Sequence, residues 1–352
     1  MRDDSLNFLR RLVETGGPSG YEQSVQRCYR EYVASFADSV TIDCTGNANA
    51  VANSGGSPRL MLAGHADEIG LQVRYISDEG FIYFAPIGGW DAEIAVGQRV
   101  NIHTGAGDLN GVIGKRAIHL MDAADRKKKS ELDKLWIDIG VSSREDAEKL
   151  VAIADPITIQ VPMIHLQGSR VAAKSFDNRM AVWMCAEVLR LLHGEAYAAE
   201  VHSVSTTMEE IGLRGAHTSA YGVDAPVGVA FDVTHSTDYP DVDKRKIGDI
   251  RLGRGPVLSR GPNINPRVLD LLIAAAEDEG LPYQLEAANR GTGTDANAMQ
   301  LSRAGMATGL VSVPLRYMHT PTETLDLDDL ENAARLVAGF IRKVTPETSF
   351  TP

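Results

Sequence analysis

The chain has 352 residues, carries a formal net charge of −12, and is 43% hydrophobic and 23% charged. The acidic balance lacks the basic footprint of a nucleic-acid binder, and no apolar run is long enough to span a bilayer. The length exceeds what one ordinary core holds, so two domains are expected.

Met1 to Ser5 run straight into an amphipathic pattern, so no secretory signal is expected and the chain reads as cytoplasmic. Leu6, Leu9, Leu12 and Val13 recur at helical spacing, and Gly16-Gly17-Pro18-Ser19-Gly20 ends that helix. A second helix puts Val25, Cys28, Tyr29, Tyr32, Val33 and Phe36 on one face. Val40 to Cys44 alternates as a strand, with Asn47 to Val51 as its expected partner. Arg59 to Gly64 is a continuous apolar run, the mark of a strand buried on both faces. It delivers His65-Ala66-Asp67-Glu68 at its end.

From Gly70 to about Gln167 the texture changes to short strands and frequent turns, which predicts a small β-rich domain. Its strands are expected at Leu71 to Ile76, Phe81 to Ala85, Val100 to His103, Gly111 to Ile113, Trp136 to Ile139 and Pro156 to Val161. The charge run Asp125 to Glu131 reads as a solvated loop, and Ser142-Ser143-Arg144-Glu145 as the capping box of a short helix.

After Gln167, Phe176-Asp177-Asn178 leads into a helix. An apolar, β-branched run from Ser203 then reads as a strand ending on Glu209-Glu210. A short helix near Ala216 to Tyr221 precedes the strand Val227 to Asp232. Asn265-Pro266 caps a long helix, Tyr283 to Ala287 is a strand, and Thr294 to Asn297 starts a further helix. Gly309 to Pro314 is a strand leading to His319, and Asp328 to Val344 a final helix. The predicted architecture is α/β. Residues 1–67 and 168–352 form one domain with a mostly parallel sheet flanked by helices, and residues 68–167 form an inserted β-rich domain.

Open α/β sheets bind ligands beyond the carboxyl ends of their strands. His65, Asp177, Glu210, Asp232 and His319 arrive at or just after such ends, Asp177 ahead of a helix rather than after an obvious strand. Each has a plain alternative: a hydrogen-bonded core imidazole, an N-cap at Asp177, a turn at Asp232, a solvated Glu209-Glu210. Those alternatives weaken jointly, because five such coincidences would have to meet at one end of one sheet. Histidine and carboxylate ligands suit Zn, Co or Mn. Five are too many for one catalytic zinc with an open position, but they suit two ions sharing a carboxylate. Cys28, Cys44 and Cys185 have no CxxC spacing and read as small buried hydrophobes in a reducing compartment.

The string Ala63-Gly64-His65-Ala66-Asp67-Glu68-Ile69-Gly70 resembles the first metal motif of the M42 metallopeptidases, dinuclear-zinc aminopeptidases that include the tetrahedral (TET) peptidases. Phe176-Asp177-Asn178-Arg179 resembles that family's bridging-aspartate motif, and Glu209-Glu210-Ile211-Gly212 its catalytic-glutamate motif. Ile87 to Asp91, Gly97 to Val100, Gly111 to Gly114, Phe231 to Thr234, Gly293 to Ala296 and Arg316 to Pro321 complete the set in order. Ala66 and Met180-Ala181 depart from the common pattern without removing a ligand.

The resemblance implies a zinc-peptidase-like catalytic domain of glutamyl or deblocking aminopeptidase type, acting on peptides from their N-terminus. It implies two divalent ions, zinc with Co or Mn as alternatives, bridged by Asp177. His65 and Asp232 would complete one site, Glu210 and His319 the other. Asp67 would orient His65, and Glu209 would be the general base for the bridging water. It also implies a homo-oligomer, typically a tetrahedral dodecamer, with subunit contacts from the inserted domain. Two alternatives stand beside it: an N-acyl amino acid deacylase using the same site, and a non-catalytic metal-binding scaffold, which the presence of Glu209 disfavours. An endo-glucanase reading is disfavoured by the histidines. Gly291 to Asp295 reads as a loop near substrate, with Asp295 either capping the next helix, the favoured reading, or facing the pocket. Among the other histidines, His235 is the one close enough to Asp232 to reach the site. His103, His119, His165, His202 and His217 read as structural or surface residues.

Overall fold

The computed structural model describes residues 1–352. Strands β1 (Ser39–Ile42), β2 (Ala48–Ala52) and β3 (Arg59–His65) begin an eight-stranded sheet. The chain then leaves it. Strands β4 (Gly70–Ile76), β5 (Ile82–Ile87), β6 (Arg99–Thr104), β7 (Gly107–Gly114), β8 (Trp136–Asp138) and β9 (Pro156–Ile159) close into a separate barrel. After β10 (Ile164–His165) and β11 (Arg170–Ala173), the first sheet is resumed by β12 (Glu200–Thr206), β13 (Val227–His235), β14 (Val257–Arg260), β15 (Gln284–Ala287) and β16 (Ala307–Leu315). The last strand, β17 (Glu323–Asp326), pairs with β11 in a small antiparallel sheet.

The large sheet runs β1-β2-β12-β3-β13-β16-β14-β15. Its centre, β12-β3-β13-β16, is parallel, and antiparallel pairs β2–β12 and β14–β16 border it. The parallel arrangement explains the continuous apolar runs, because both faces are covered. Helix Phe176–Leu192 lies over β3 and β13 on one face, and helices Asp3–Glu14, Gln23–Val33 and Leu327–Lys343 pack against it. Arg214–Val223 and Asp295–Met299 cover the other face. Two glycines set how closely these layers approach. A Cβ at Gly64 would lie 2.5 Å from the Ala181 Cβ, and one at Gly228 2.5 Å from the Met299 Cε. The C-terminal helix buries Leu330, Leu336, Val337, Phe340 and Ile341 completely. At about 1.5–3 kcal/mol for each large buried side chain, this face rather than intrinsic propensity holds the helix in place. The barrel has its own apolar cluster around Leu71, Ile82, Ile102, Ile137 and Ile157, separate from the main core.

Three local expectations are corrected. Strand β12 ends at Thr206, so Glu209-Glu210 lies beyond the sheet. Asn47 Oδ1 accepts the Thr207 N–H at 3.0 Å and Glu22 Oε1 the Met208 N–H at 3.0 Å, and Met208 turns the chain with φ 54°. Asp232 lies inside β13, which continues to His235. Cys28 and Cys185 are buried, but Cys44, at the turn after the edge strand β1, is exposed. The short helix Arg144–Glu148 is capped by Ser143, whose Oγ accepts the Asp146 N–H.

Candidate metal centre

Around the carboxyl ends of β3, β12, β13 and β16 the structure brings together His65, Asp177, Glu209, Glu210, Asp232 and His319 along one open cleft. Asp177 is central. Its Oδ1 lies 3.3 Å from His65 Nε2 and its Oδ2 lies 3.2 Å from His319 Nε2. His319 Nε2 is also 3.2 Å from Glu210 Oε1, and His65 Nε2 is 3.7 Å from Glu209 Oε2. The ligand-type atoms of His65, Asp177 and Glu210 all lie within 4.8 Å of one another, and so do those of His65, Glu209 and Asp232. Glu209 and Glu210 thus face different neighbours.

Both imidazoles are oriented from behind. His65 Nδ1 faces the Asp67 carbonyl at 3.2 Å and the Asp67 Oδ1 at 3.3 Å, and His319 Nδ1 faces the Gly89 carbonyl at 3.1 Å. An acceptor at Nδ1 holds a proton there and turns Nε2 toward the carboxylates. Asp67, completely buried, does more. It accepts the Ser19 hydroxyl at 2.6 Å and the backbone N–H groups of Glu209 and Glu210 at 3.0 and 3.1 Å.

The cluster is short of positive charge. Burial, with Asp232, Asp295 and Glu210 nearby, pushes the Glu209 carboxyl up to about 10. Burial and then Asp177 raise Asp232 well above the carboxylate range, and burial raises Glu210. Burial opposes a charge on His65, but Glu209, Asp177 and Asp67 outweigh it and hold its pKa well above the usual value. Hydrogen bonds that its ring donates to Asp177 and Glu210 push His319 up to about 11. Asp177 itself is lowered: burial resists this, and the hydrogen bonds of the two histidines prevail. Crowded acids that hold protons, beside imidazoles with Nε2 turned inward, form a donor set that divalent cations match. Glu210 Oε1, buried with only the His319 ring nitrogen facing it, fits the same reading.

Reading from sequence missed several contributors. Glu323 is 2% exposed and accepts the backbone N–H groups of Asp177 at 2.9 Å and His319 at 2.8 Å. Glu68 pairs with Lys174 at 2.7 Å and Arg179 at 3.3 Å beneath the centre. No spacing signal marks either, since their partners are remote in the chain. Asp295 is not the expected cap. It sits in the first turn of its helix, buried, accepting the Thr206 hydroxyl at 2.6 Å. Residues Gly291 to Thr294 and the exposed His235 line the cleft. His103 bonds Asp108 and Thr158, away from the centre.

A parallel α/β sheet with carboxylates and imidazoles converging at its carboxyl end fits a metal-dependent hydrolase. The M42 glutamyl aminopeptidase family matches residues 46–336, and the chain belongs to this family. It is a peptide-bond hydrolase of the aminopeptidase class. A lysyl aminopeptidase from Pyrococcus furiosus is 37% identical over 98% of this chain and 99% of its own length. A TET aminopeptidase from a marine-sediment thaumarchaeote superposes with a TM-score of 0.93 at 34% identity, covering 98% of each chain. A TET1 peptidase from Pyrococcus horikoshii, which can assemble into a tetrahedron or a large octahedral shell, superposes at 0.87 with 30% identity. That match covers 97% of this chain and all of the other. No helix is long and apolar enough to cross a membrane.

Proposed function

We propose that the centre holds two divalent ions bridged by Asp177, and that the chain removes N-terminal residues from peptides there. The observation that carries this reading is the Asp177 carboxylate, with one oxygen directed at each histidine. His65 and Asp232 would complete the hold on one ion, Glu210 and His319 on the other. When bound, the ions supply Lewis acidity, polarising the scissile carbonyl and lowering the pKa of water. Glu209 takes a proton from the attacking water and returns it to the departing amine. Asp67 orients His65 and fixes the backbone that carries Glu209 and Glu210. Histidine with carboxylate suits zinc, with cobalt and manganese as competitors.

The same reading assigns residues 1–67 and 168–352 to catalysis and residues 68–167 to subunit contacts in a cytoplasmic homo-oligomer. The assemblies of the TET relatives and the barrel's separate core support it. The test is Glu209→Gln, followed by metal content and hydrolysis of free against N-acetylated peptides. We expect metal retained and turnover on free peptides reduced by about 100- to 10,000-fold. Wild-type turnover in the variant, or undiminished cleavage after thorough chelation, would overturn the assignment. Faster cleavage of N-acetylated peptides would make the enzyme a deacylase.

A further inference from the structure

The cleft carries a second charged feature beside the histidines and acids. Glu286, on the edge strand β15, lines it and is half-buried. Its Oε2 accepts the Thr234 hydroxyl at 2.7 Å, and its Oε1 accepts the Ser259 hydroxyl at 2.7 Å. Ser259 is completely buried and stands in register with Glu286 across the β14–β15 pair. Both donors are neutral, and no lysine or arginine of the chain pairs with this carboxylate. It is therefore held in one direction while its charge stays unmatched, and a cationic partner would gain a charge-assisted hydrogen bond there.

Its position relative to the centre is set by the sheet. Thr234 follows Asp232 by two residues on β13, so their side chains share a face and stand about 6.6 Å apart along the strand. Glu286, bonded to Thr234, thus lies about one extended lysine side chain from Asp232, one of the carboxylates that would hold the ions. Arg290 and His235 also line the cleft, but both are exposed, and fully solvated charges contribute little to pairing.

We propose that Glu286 receives the side chain of the first substrate residue and selects peptides beginning with a cationic residue, lysine or arginine. The proposal rests on the aminopeptidase reading above. The experiment compares kcat/KM for lysyl, arginyl, norleucyl and glutamyl chromogenic amides, with added zinc, cobalt or manganese. It uses the wild type, Glu286→Gln and Glu286→Arg, each checked by thermal melting. Norleucine matches lysine in shape without its charge. We expect lysyl to exceed norleucyl by roughly 10- to 100-fold in the wild type, that ratio to fall toward one in Glu286→Gln, and glutamyl to overtake lysyl in Glu286→Arg. Calorimetric binding of free lysine against norleucine should show the same order and its loss in Glu286→Gln. A wild type that favours glutamyl or norleucyl, or a ratio indifferent to Glu286→Gln, overturns the proposal. Absence of cleavage of any amide overturns the underlying aminopeptidase reading instead. In that event equal binding of lysine and norleucine overturns the role of Glu286 as well.

Discussion

Replacing Asp67 by asparagine removes one acceptor from a completely buried residue and changes almost no volume. Asp67 accepts along both oxygens: Oδ1 takes the Glu209 N–H and faces His65 Nδ1, while Oδ2 takes the Ser19 hydroxyl and the Glu210 N–H. Whichever way an asparagine amide is turned, its NH2 meets a backbone N–H at about the present separation of 3 Å. One bond to a charged acceptor is lost, about 1.5–3 kcal/mol, and a donor is set against a donor. The opposing effect is relief of repulsion, because Asp67 sits among other acids. That relief is the smaller effect: despite burial, the His65 imidazole and the Ser19 hydroxyl hold the Asp67 pKa below its ordinary value, so its ionised form is favoured by the fold. A depressed folded pKa contributes stability above the unfolded value near 3.8, and that contribution is lost as the pH falls through the folded value. At neutral pH the net expectation for Asp67→Asn is a loss of about 2–4 kcal/mol in urea unfolding of the metal-free chain. A fall in kcat/KM of about 10- to 100-fold should accompany it. A variant within about 0.5 kcal/mol of wild type, with unchanged kcat/KM, would refute the reasoning.

Glu323→Gln should act through geometry rather than charge. The amide leaves the N–H of Asp177 or His319 facing a donor, so metal affinity measured by competition with a chelator should weaken by about 10-fold or more. An unchanged affinity would make Glu323 a bystander. Zinc binding should release protons, because Glu209 is pushed up to about 10 and His319 to about 11 in the cation-poor centre. Both folded values lie above the unfolded ones, so this stabilisation is complete below about 4.5 and 6.5 respectively and fades as pH rises through about 10 to 11. The metal-free chain should therefore melt lower at about pH 8 than at about pH 6, and the zinc-induced rise in melting temperature should be larger at the higher pH. A zinc effect that shrinks with pH would contradict the charge deficit.

The parallel centre of the sheet was legible because double burial imposes continuous apolar runs, as in Leu60 to Ala63 and Val227 to Phe231. The strands of the barrel were legible from their turns, and Asn265 from its proline neighbour, since a cap needs only local chemistry. The path of Glu209-Glu210 was not, because it depends on Asn47 and Glu22, far away in the chain. The choice between cap and pocket at Asp295 was open for the same reason: Thr206, 89 residues away, gives it a buried partner that competes with capping. Ligand types could be picked out by residue chemistry. The groups that hold their backbones, such as Glu323, are ordinary acids until folding supplies their donors.

That division says something about how the centre is built. His319 is the least enclosed of the two histidines, with 33% of its side chain exposed and its backbone in the left-handed region at φ 60°. Two contacts fix it: Glu323 on its N–H and the Gly89 carbonyl on its Nδ1. Gly89 lies just after β5, in the barrel segment, and a Cβ there would stand 3.5 Å from His319 Nδ1, in ordinary contact. The barrel segment therefore contributes a backbone group that orients an imidazole at the centre. An insertion serving only to join subunits would need no such contact. Because the carbonyl is fixed by the barrel and the N–H by β17, the ring direction of His319 depends on how those two parts of the chain are held together. Subunit contacts made through the barrel would then bear on hydrolysis through one hydrogen bond.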